Sequence, residues 1–566
     1  MPGSIAGKYQ SGYIESYIWD SWWLATTMKE NWGEKVVRQS LVPSAMVDAD
    51  GTLFTLHFHN SGSSYGIYFY LSKFTENNYS VSKSYKSVYP WTYFDTDLRS
   101  IVPSDTPITL NMGSRPDLTK DGNDPYYFKN YIHNAYQPCI AQDVGETASE
   151  RLCLFFQIPN LRIAASRGDF DGILLLTHNK STLEYDNVAA GRYSGYARQN
   201  MFSYNHQRPR RMGDSYDYNI ELGNYTAWHY GEKVHLNWVA AETDNGWGSM
   251  NICCQYNDSW GHISAYDFFD SSNWKGCMGI AMYPRYIKFG DYIYGLWVYE
   301  GGQNIYLTQS GVSDEKFSNK QLWAVSFKHK HHSDGYSLYY YYNRFTLYQY
   351  DFCIVKAPDG TGIVCMLGIR LVMENDCDRT VLSSLQNPRW SSTHIPGRQN
   401  HYALMLSSFK IDTFNAGACY EDPQNMIYTT ELTTGTACPT NCNCTRTAGE
   451  YGLTQLYKNT HKCCVYEAPS GKQYIIYCYC YPGKTKQLYL GYAPCWIDAN
   501  YKVTLGPKCE FRETASQWSN SFGNFTSCAR IISMDCKNGH LWITWMNADD
   551  TEYYYFHIKA KDLVGE

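Results

Sequence analysis

A glycine-led strand pattern recurs along this chain and constrains its fold more than any other feature. Each copy has a Gly, then a short apolar or aromatic strand, and then a polar turn before a second strand. Where the series is complete, successive copies are about 60–70 residues apart, a period typical of repeat architectures. The seven copies are led by Gly51, Gly172, Gly231, Gly290, Gly360, Gly471 and Gly539.

Two wider gaps follow Gly51 and Gly360, and each has about the length of two repeats. We therefore expect a weak repeat inside each gap. Residues 150–158 and 400–408 are short apolar runs that fit strands of these weak members. The whole chain then holds about seven to nine units.

The repeat predicts an all-β fold, a β-propeller of about seven or eight four-stranded blades with long loop insertions. Each unit consists of short strands and tight turns without helical periodicity, and radial repetition protects strand edges from aggregation. Several β-sandwich domains are the alternative, because hairpins of unrelated sandwiches look alike. Residues 1–40 are interpreted as an aromatic segment that closes the ring or packs on it, and residues 41–566 as the repeat-built propeller.

Composition narrows the function classes. Aromatic residues make up 16% of the chain and charged residues only 18%, which argues against intrinsic disorder. The net charge of −6 and the lack of a basic run disfavour nucleic-acid binding, and no apolar run is long enough for a membrane helix. Since no secretory signal is visible, we expect a cytoplasmic protein, one exported unconventionally, or one assembled in a particle.

The 20 cysteines are unevenly distributed, because none precedes Cys139 and 12 lie in a cysteine-rich final third, residues 417–536. Their spacings do not form the paired knuckles of a zinc site. Cys478 and Cys480 are two apart in a predicted strand, so they share one face and are not expected to bond each other. Residues 417–451 are predicted to form a long loop, either pinned by a disulfide or placed in an intermolecular interface. The disulfide candidates are Cys419, Cys438, Cys442, Cys444, Cys463 and Cys464.

Several tryptophans beside small polar residues are candidate ligand contacts. A sugar ring has an apolar face that stacks on an aromatic plane, while its hydroxyls need polar partners nearby. A basic patch adds Arg208, Arg210 and Arg211, whose guanidinium groups can clamp a carboxylate or phosphate. The tryptophans that meet the criterion are Trp247, Trp260, Trp274, Trp390 and Trp518.

Catalytic and metal motifs are weak by comparison. No nucleophile elbow, phosphate-binding loop or zinc-protease helix is present, so no catalytic residue is predicted. Asp48 and Asp50 precede Gly51, and Asp169 and Asp171 precede Gly172 at what the repeat treats as the equivalent position. Such a pattern can begin a calcium loop, but a tight hairpin turn explains it equally well. We therefore predict neither a metal site nor a cofactor.

The glycine-led repeat with tryptophans at its turns resembles the tandem-repeat β-propeller lectins. The resemblance implies a non-enzymatic protein that binds glycans or glycoproteins at shallow aromatic sites between blades. One alternative is a self-assembling structural protein such as a coat, fibre or crystalline body, which would form a homo-oligomer or a larger assembly. A second alternative is a propeller glycoside hydrolase, which needs two carboxylates about 5–10 Å apart.

Overall fold

A computed structural model describes twenty-one segments of the chain, and nearly all of them are β-strands. Within these segments there are 30 strands and one short helix, and no helix is long and apolar enough to cross a membrane. The described residues are 5, 7–16, 43–60, 67–88, 138–162, 169–184, 201–203, 225–230, 233–242, 246–255, 264–266, 285–298, 304–311, 321–326, 351–373, 400–411, 420–431, 461–480, 488–511, 530–547 and 552–566.

Residue contacts divide the chain into two compact units. Unit 1 comprises residues 1–13, 279–549 and 554–566, and unit 2 comprises residues 14–278 and 550–553. The boundary that the sequence predicts at residue 40 lies outside the described residues.

Unit 2 contains three sheets made of short consecutive strands. The first sheet consists of β2 (Ser44–Val47), β3 (Leu53–Asn60), β4 (Ile67–Thr75) and β5 (Asn78–Val88). The second consists of β6 (Pro138–Ile140), β8 (Arg151–Arg162), β9 (Asp169–Asn179) and β10 (Met201–Ser203). The third consists of β7 (Gln142–Asp143), β11 (Tyr225–Tyr230), β12 (Lys233–Glu242), β13 (Gly246–Gln255) and β14 (Ser264–Tyr266).

The remaining four sheets are built mainly from unit 1. They are β15 (Tyr286–Phe289), β16 (Tyr292–Val298), β17 (Asn304–Gly311) and β18 (Gln321–Ser326); then β19 (Asp351–Lys356), β20 (Gly362–Met373), β21 (Asn400–Lys410) and β22 (Tyr420–Glu431). The next holds β23 (His461–Glu467), β24 (Gln473–Cys480), β25 (Leu488–Ile497), β26 (Val503–Leu505) and β27 (Cys509–Phe511). The last holds β28 (Arg530–Lys537), β29 (His540–Met546), β30 (Glu552–Lys559) and the N-terminal β1 (Tyr9–Ser16), followed by helix α1 (Ala560–Val564).

The described strands form seven sheets in which consecutive strands pair in antiparallel hairpins. Three strands depart from this order, since β7 pairs with β11 in parallel, β1 lies beside β30, and β27 pairs with β25 instead of β26. For the described residues, the all-β prediction is therefore confirmed. The arrangement of the sheets as propeller blades and the number of blades stay predictions.

Five of the seven repeat glycines lie just before a strand, as predicted, and each of them occupies the first hairpin turn of its sheet; Gly231 lies outside the described residues. Each has a positive φ, a conformation that favours glycine because a Cβ would be strained there. Their φ angles are 87° at Gly51, 58° at Gly290, 90° at Gly360, 79° at Gly471 and 75° at Gly539.

The prediction for Gly172 is wrong. This glycine lies inside β9 and pairs with Ile158 of β8, so the second Asp-x-Asp-Gly sequence is a strand segment and not a copy of the turn at Gly51. The apolar run after Gly172 is the third strand of its sheet, and an apolar run alone does not reveal a strand's position in a hairpin series. Residues 400–408 likewise belong to β21, the third strand of its sheet, and do not form a separate repeat.

The predicted loop at residues 417–451 is wrong in its first part, because residues 420–431 form β22. This strand pairs with β21, and its register shifts on both sides of Met405. Its Tyr, Met, Ile and Thr residues favour an extended strand, and the shifts accommodate the polar stretch around Pro423. Residues 432–451 lie outside the described residues.

Strand β24 shows why the sequence has an unbroken apolar run at this position. Its alternate residues enter two different cores. Ile476 and Cys478 pack with residues of β28–β30, whereas Ile475 and Tyr477 pack with residues of β19–β21. A strand that is covered on both faces needs apolar residues at every position, so the usual two-residue alternation disappears.

Two side-chain amides join neighbouring sheets of unit 1 by imitating strand pairing. Buried Asn425 of β22 donates from Nδ2 to the carbonyl of Val503 (2.8 Å) and accepts from the N–H of Leu505 (2.8 Å). Gln473 does the same for both backbone groups of Lys356, at 2.6 and 2.7 Å. Backbone groups at these sheet boundaries are therefore satisfied without a further strand.

Gly491 is required by the ring that covers it. It pairs with Tyr477 across β24 and β25, and a Cβ at this position would lie 2.5 Å from the Tyr477 ring. The ring is fully buried, so it has little room to move away.

We expect Gly491→Ala to destabilise the protein by about 1–3 kcal/mol, because the added methyl group overpacks a buried aromatic ring. Urea unfolding of the full chain measures this difference. The double variant Gly491→Ala/Tyr477→Leu is the control, since a smaller side chain at residue 477 makes room for the methyl group. Equal costs of Gly491→Ala in the two backgrounds would contradict the proposed clash.

Candidate functional site

A buried arginine connects the first strands of four sheets in unit 1. Arg285 directly precedes β15, and its Nη1 donates to the carbonyl of Cys463 in β23 and, at 3.5 Å, to that of Phe352 in β19. Its Nη2 donates to the carbonyl of Met534 in β28 and lies 3.4 Å from Asp351 Oδ2. We call Arg285 with these partners the arginine hub. Its backbone contacts indicate a role in holding strands together.

The electrostatics of the arginine hub are balanced by carboxylates. Burial opposes the charge of Arg285, but Asp351 and Asp535 outweigh this effect and raise the pKa of the guanidinium. Asp351 also accepts a hydrogen bond from the N–H of Cys463 at 2.8 Å. Lys462 is buried in the same region, and its burial lowers the pKa of the ammonium group against the opposing charge of Asp351.

Unit 2 contains a second buried ionic network, which we call the lysine bridge. Lys180 Nζ donates to Asp48 Oδ2 at 2.8 Å and to Asp143 Oδ2 at 2.7 Å, and all three side chains are buried. Asp48 follows β2, Asp143 ends β7 and Lys180 follows β9, so the network joins all three sheets of the unit. His229 of β11 also lies near Asp143, with its Nε2 atom 3.9 Å from Asp143 Oδ2.

The pKa values of the two carboxylates in the lysine bridge are shifted in opposite directions. Burial raises the pKa of Asp48 to about 6, although Lys180 opposes this rise. Burial acts in the same direction on Asp143, but His229 and Lys180 outweigh it and lower that pKa to about 2. Asp143 is also held by the N–H groups of Gly145 (3.1 Å) and Ser149 (2.9 Å). Paired carboxylates with separated pKa values are a recognised sign of acid–base function.

The first Asp-x-Asp-Gly sequence forms a turn whose carboxylates are already engaged. Asp48 Oδ1 accepts from the N–H of Ala49 at 2.8 Å, and Asp50 Oδ1 accepts from that of Thr52 at 2.9 Å. The remaining Asp48 oxygen faces the ammonium of Lys180. Among the described residues, no group of three or more His, Cys, Asp or Glu side chains could hold a metal ion.

Two of the predicted disulfide candidates, Cys463 and Cys464, carry free thiols, which corrects that part of the prediction. They are adjacent in β23, so they point to opposite faces and into different cores. The other four candidates lie outside the described residues. Cys478 has a free thiol whereas Cys480 is in a disulfide, and the two are not bonded to each other, as expected from their shared face.

Most of the predicted ligand-binding residues lie in parts of the chain that are not described. Trp247 is the exception, because it belongs to β13 and pairs with Ala241 of β12 instead of lying in a loop. The others, which lie outside the described residues, are Trp260, Trp274, Trp390, Trp518, Arg208, Arg210 and Arg211.

An exposed tryptophan that the sequence criterion missed lies on β25. Trp496 is 52% exposed, and its indole lies directly over Gly506, where an added Cβ would be 2.2 Å from the ring. Trp496 pairs with Thr504 of β26, so the two side chains are neighbours on one face of the hairpin, and Lys502 ends the turn just before β26. We call this face of the β25–β26 hairpin the Trp496 platform. It presents an exposed indole beside the side chain of Thr504.

The sequence does contain a pattern that indicates an exposed Trp496, but this pattern differs from the criterion of small polar neighbours. Leu490, Tyr492, Pro494 and Trp496 alternate along one face of a strand that ends in a polar Asp-Ala-Asn turn. The aromatic residue at the end of such a series comes out of the core and into solvent. The criterion of small polar neighbours selected tryptophans in loops and passed over this one.

No protein-family model matches this chain, and no curated protein matches it. Solved structures of β-propeller proteins give weak matches. An alpha-L-arabinanase from Penicillium chrysogenum, complexed with arabinobiose, is 9% identical over 92% of this chain and 93% of its own, with a TM-score of 0.31. AofleA from Arthrobotrys oligospora is 5% identical over 89% and 92%, with a TM-score of 0.30. An endo-arabinase from Bacteroides thetaiotaomicron is 8% identical over 57% and 88%, with a TM-score of 0.26. Scores this low do not determine the fold or the activity of this chain.

We expect the stability of the wild type to rise relative to Asp48→Asn as the pH falls from 7 to about 4. The pKa of Asp48 is higher in the folded protein than in the unfolded chain, so the folded protein takes up a proton first over this range. The difference in the free energy of unfolding should grow by roughly 2 kcal/mol. Urea unfolding at several pH values measures it.

The matched control for this experiment is Asp359→Asn. Asp359 is a turn carboxylate whose pKa is lowered by the N–H of Thr361, so this variant should show no such rise above pH 4. A wild-type advantage over Asp48→Asn that stays constant between pH 7 and pH 4 would contradict the raised pKa.

Proposed function

We propose that this protein binds carbohydrate, and that the Trp496 platform contacts the sugar. The observation that carries the proposal is an exposed indole on a hairpin, with the hydroxyl-bearing Thr504 as its cross-strand neighbour. A pyranose stacks its C–H face on such a plane and directs its hydroxyls to polar neighbours. This continues the carbohydrate-binding hypothesis of the sequence, with a residue that the sequence criterion missed.

Hydrogen bonds hold the backbone of the platform in place without a ligand. Gly506 leaves space for the indole on one side, and its N–H donates to the carbonyl of Pro494 at 2.7 Å, which fixes the backbone under the ring. The hairpin turn is held by Asp498 Oδ1, which accepts from the N–H groups of Asn500 (2.8 Å) and Lys502 (2.9 Å). A side chain that is already immobilised loses less entropy on binding.

Trp496→Ala should weaken glycan binding about tenfold, because the stacking surface is lost. A glycan array with the wild type identifies the ligand, and titration calorimetry then compares the variants. Tyr292→Ala is the matched control, since Tyr292 is another exposed aromatic residue (44%) at a different place in unit 1. No glycan binding by folded wild type would overturn the proposal, and equal affinities of wild type and Trp496→Ala would overturn the assignment of the platform.

Glycoside hydrolysis is a second candidate function, and the lysine bridge is the observation that favours it. A carboxyl group with a pKa near 6 is suited to donate a proton, and an ionised partner can stabilise positive charge on the sugar. Asp48 and Asp143 face each other across a single ammonium group, as close carboxylate pairs of such enzymes do across a glycosidic bond. Both are buried, so hydrolysis requires the sugar to reach them beside Lys180.

Turnover assays on neutral and acidic polysaccharides separate the two candidates. If the lysine bridge is the reaction centre, Asp48→Asn and Asp143→Asn should each lower the rate about 100-fold or more, whereas Asp359→Asn should not. A wild type that binds a glycan without cleaving it rules out hydrolysis of that glycan and leaves binding as the function.

A further inference from the structure

Three free thiols of unit 1 lie in one core, and one of them contacts the other two. Cys353 of β19 makes side-chain hydrogen bonds to Cys365 of β20 and to Cys463 of β23. All three are buried in one core, between the sheet of β19–β22 and the sheet of β23–β27. Cys353 is therefore the shared member of two sulfur contacts, one inside its own sheet and one to the next sheet.

The strand register makes the first contact compatible with a covalent bond. Cys353 and Cys365 are directly opposite in the antiparallel pair of β19 and β20. Directly opposite residues in such a pair have Cα atoms about 4.5 or 5.5 Å apart, and both distances lie within the range that disulfides span. The second contact crosses from β19 to β23, which are neighbours along their lengths.

Other cysteines of the same region lack this arrangement. Cys464 follows Cys463 directly but faces the other core of β23, and Cys478 lies in that same second core. Their thiols are free and buried, as the three contacting thiols are. What distinguishes Cys353, Cys365 and Cys463 is their sulfur contacts and not their burial.

We propose that Cys353, Cys365 and Cys463 form a redox-reactive site at which Cys353 forms a disulfide with Cys365, or with Cys463 when Cys365 is absent. The oxidant is hydrogen peroxide or a peroxide of similar size. The first disulfide closes a hairpin within one sheet, and the second fastens the first strands of two sheets to each other.

The disulfide forms in two steps. One thiol reacts with hydrogen peroxide to give a sulfenic acid and water, with sulfur oxidised and peroxide reduced. The neighbouring thiol then attacks the sulfenic sulfur, the S–S bond forms, and the hydroxyl group leaves as a second water. Burial holds the pKa of the Cys365 and Cys463 thiols above the ordinary value, so the reaction is slow compared with that of an exposed thiolate.

The experiment uses the full native chain treated with hydrogen peroxide, then quenched, denatured and alkylated without reduction. Peptide mapping by mass spectrometry should find a Cys353–Cys365 disulfide, whereas Cys464 and Cys478 stay alkylated and serve as internal controls. Intact mass should fall by two hydrogens per disulfide formed. These mass measurements use the wild-type protein, so they do not depend on whether a substituted protein folds.

Two variants test the shared role of Cys353. Cys365→Ser should redirect the disulfide to Cys353–Cys463, and Cys353→Ser should abolish both and leave Cys365 and Cys463 alkylated. Folding of each variant is checked by circular dichroism before oxidation. Full alkylation of all three thiols after peroxide treatment of the wild type would overturn the proposal, as would oxidation of Cys464 and Cys478 to the same extent.

Discussion

The structure of unit 1 depends on how the unpaired edges of its first strands are satisfied. Each of β19, β23 and β28 has only one ladder partner, so the backbone groups on its other edge need another source of hydrogen bonds. Arg285 supplies donors to a carbonyl of each of these strands, and Asp351 accepts from the N–H of Cys463 on the same edge. One guanidinium with its fixed fork of donors therefore does what a further strand would do elsewhere.

In unit 2 a different kind of interaction connects the sheets. Its three sheets are joined by the ammonium of Lys180 between two carboxylates, and the contacts are ionic instead of side chain to backbone. A buried charge network is expensive to assemble, because each ion gives up its hydration. It holds its sheets in one arrangement only, since any displacement leaves a charge in the core without its partner.

Local features of the fold could be predicted from the sequence, whereas contacts between distant residues could not. Gly51, Gly360 and Gly471 could be recognised because a turn with positive φ selects glycine whatever surrounds it. Gly172 misled because an Asp-Gly sequence inside a strand looks the same as one in a turn. The lysine bridge could not be foreseen, because Asp48 and Lys180 are 132 positions apart and the pattern around Asp48 indicates a turn but not its distant partner. Trp496 is intermediate between a local and a long-range feature. The alternation of its strand is visible in the sequence, whereas its exposure depends on where β25 leaves the core.

The position of β1 has a consequence for how the chain is made. This strand lies beside β30, so residues near the start of the chain complete a sheet whose other strands begin at residue 530. During synthesis, β1 leaves the ribosome long before β30 exists, and it must stay unpaired while the intervening sheets form. Tyr9 then stacks on Phe556, with ring centroids 5.3 Å apart, only after the more than 500 residues between them have been translated. This sheet therefore forms only in a chain that extends past residue 552, because a shorter chain leaves β1 without its neighbour β30.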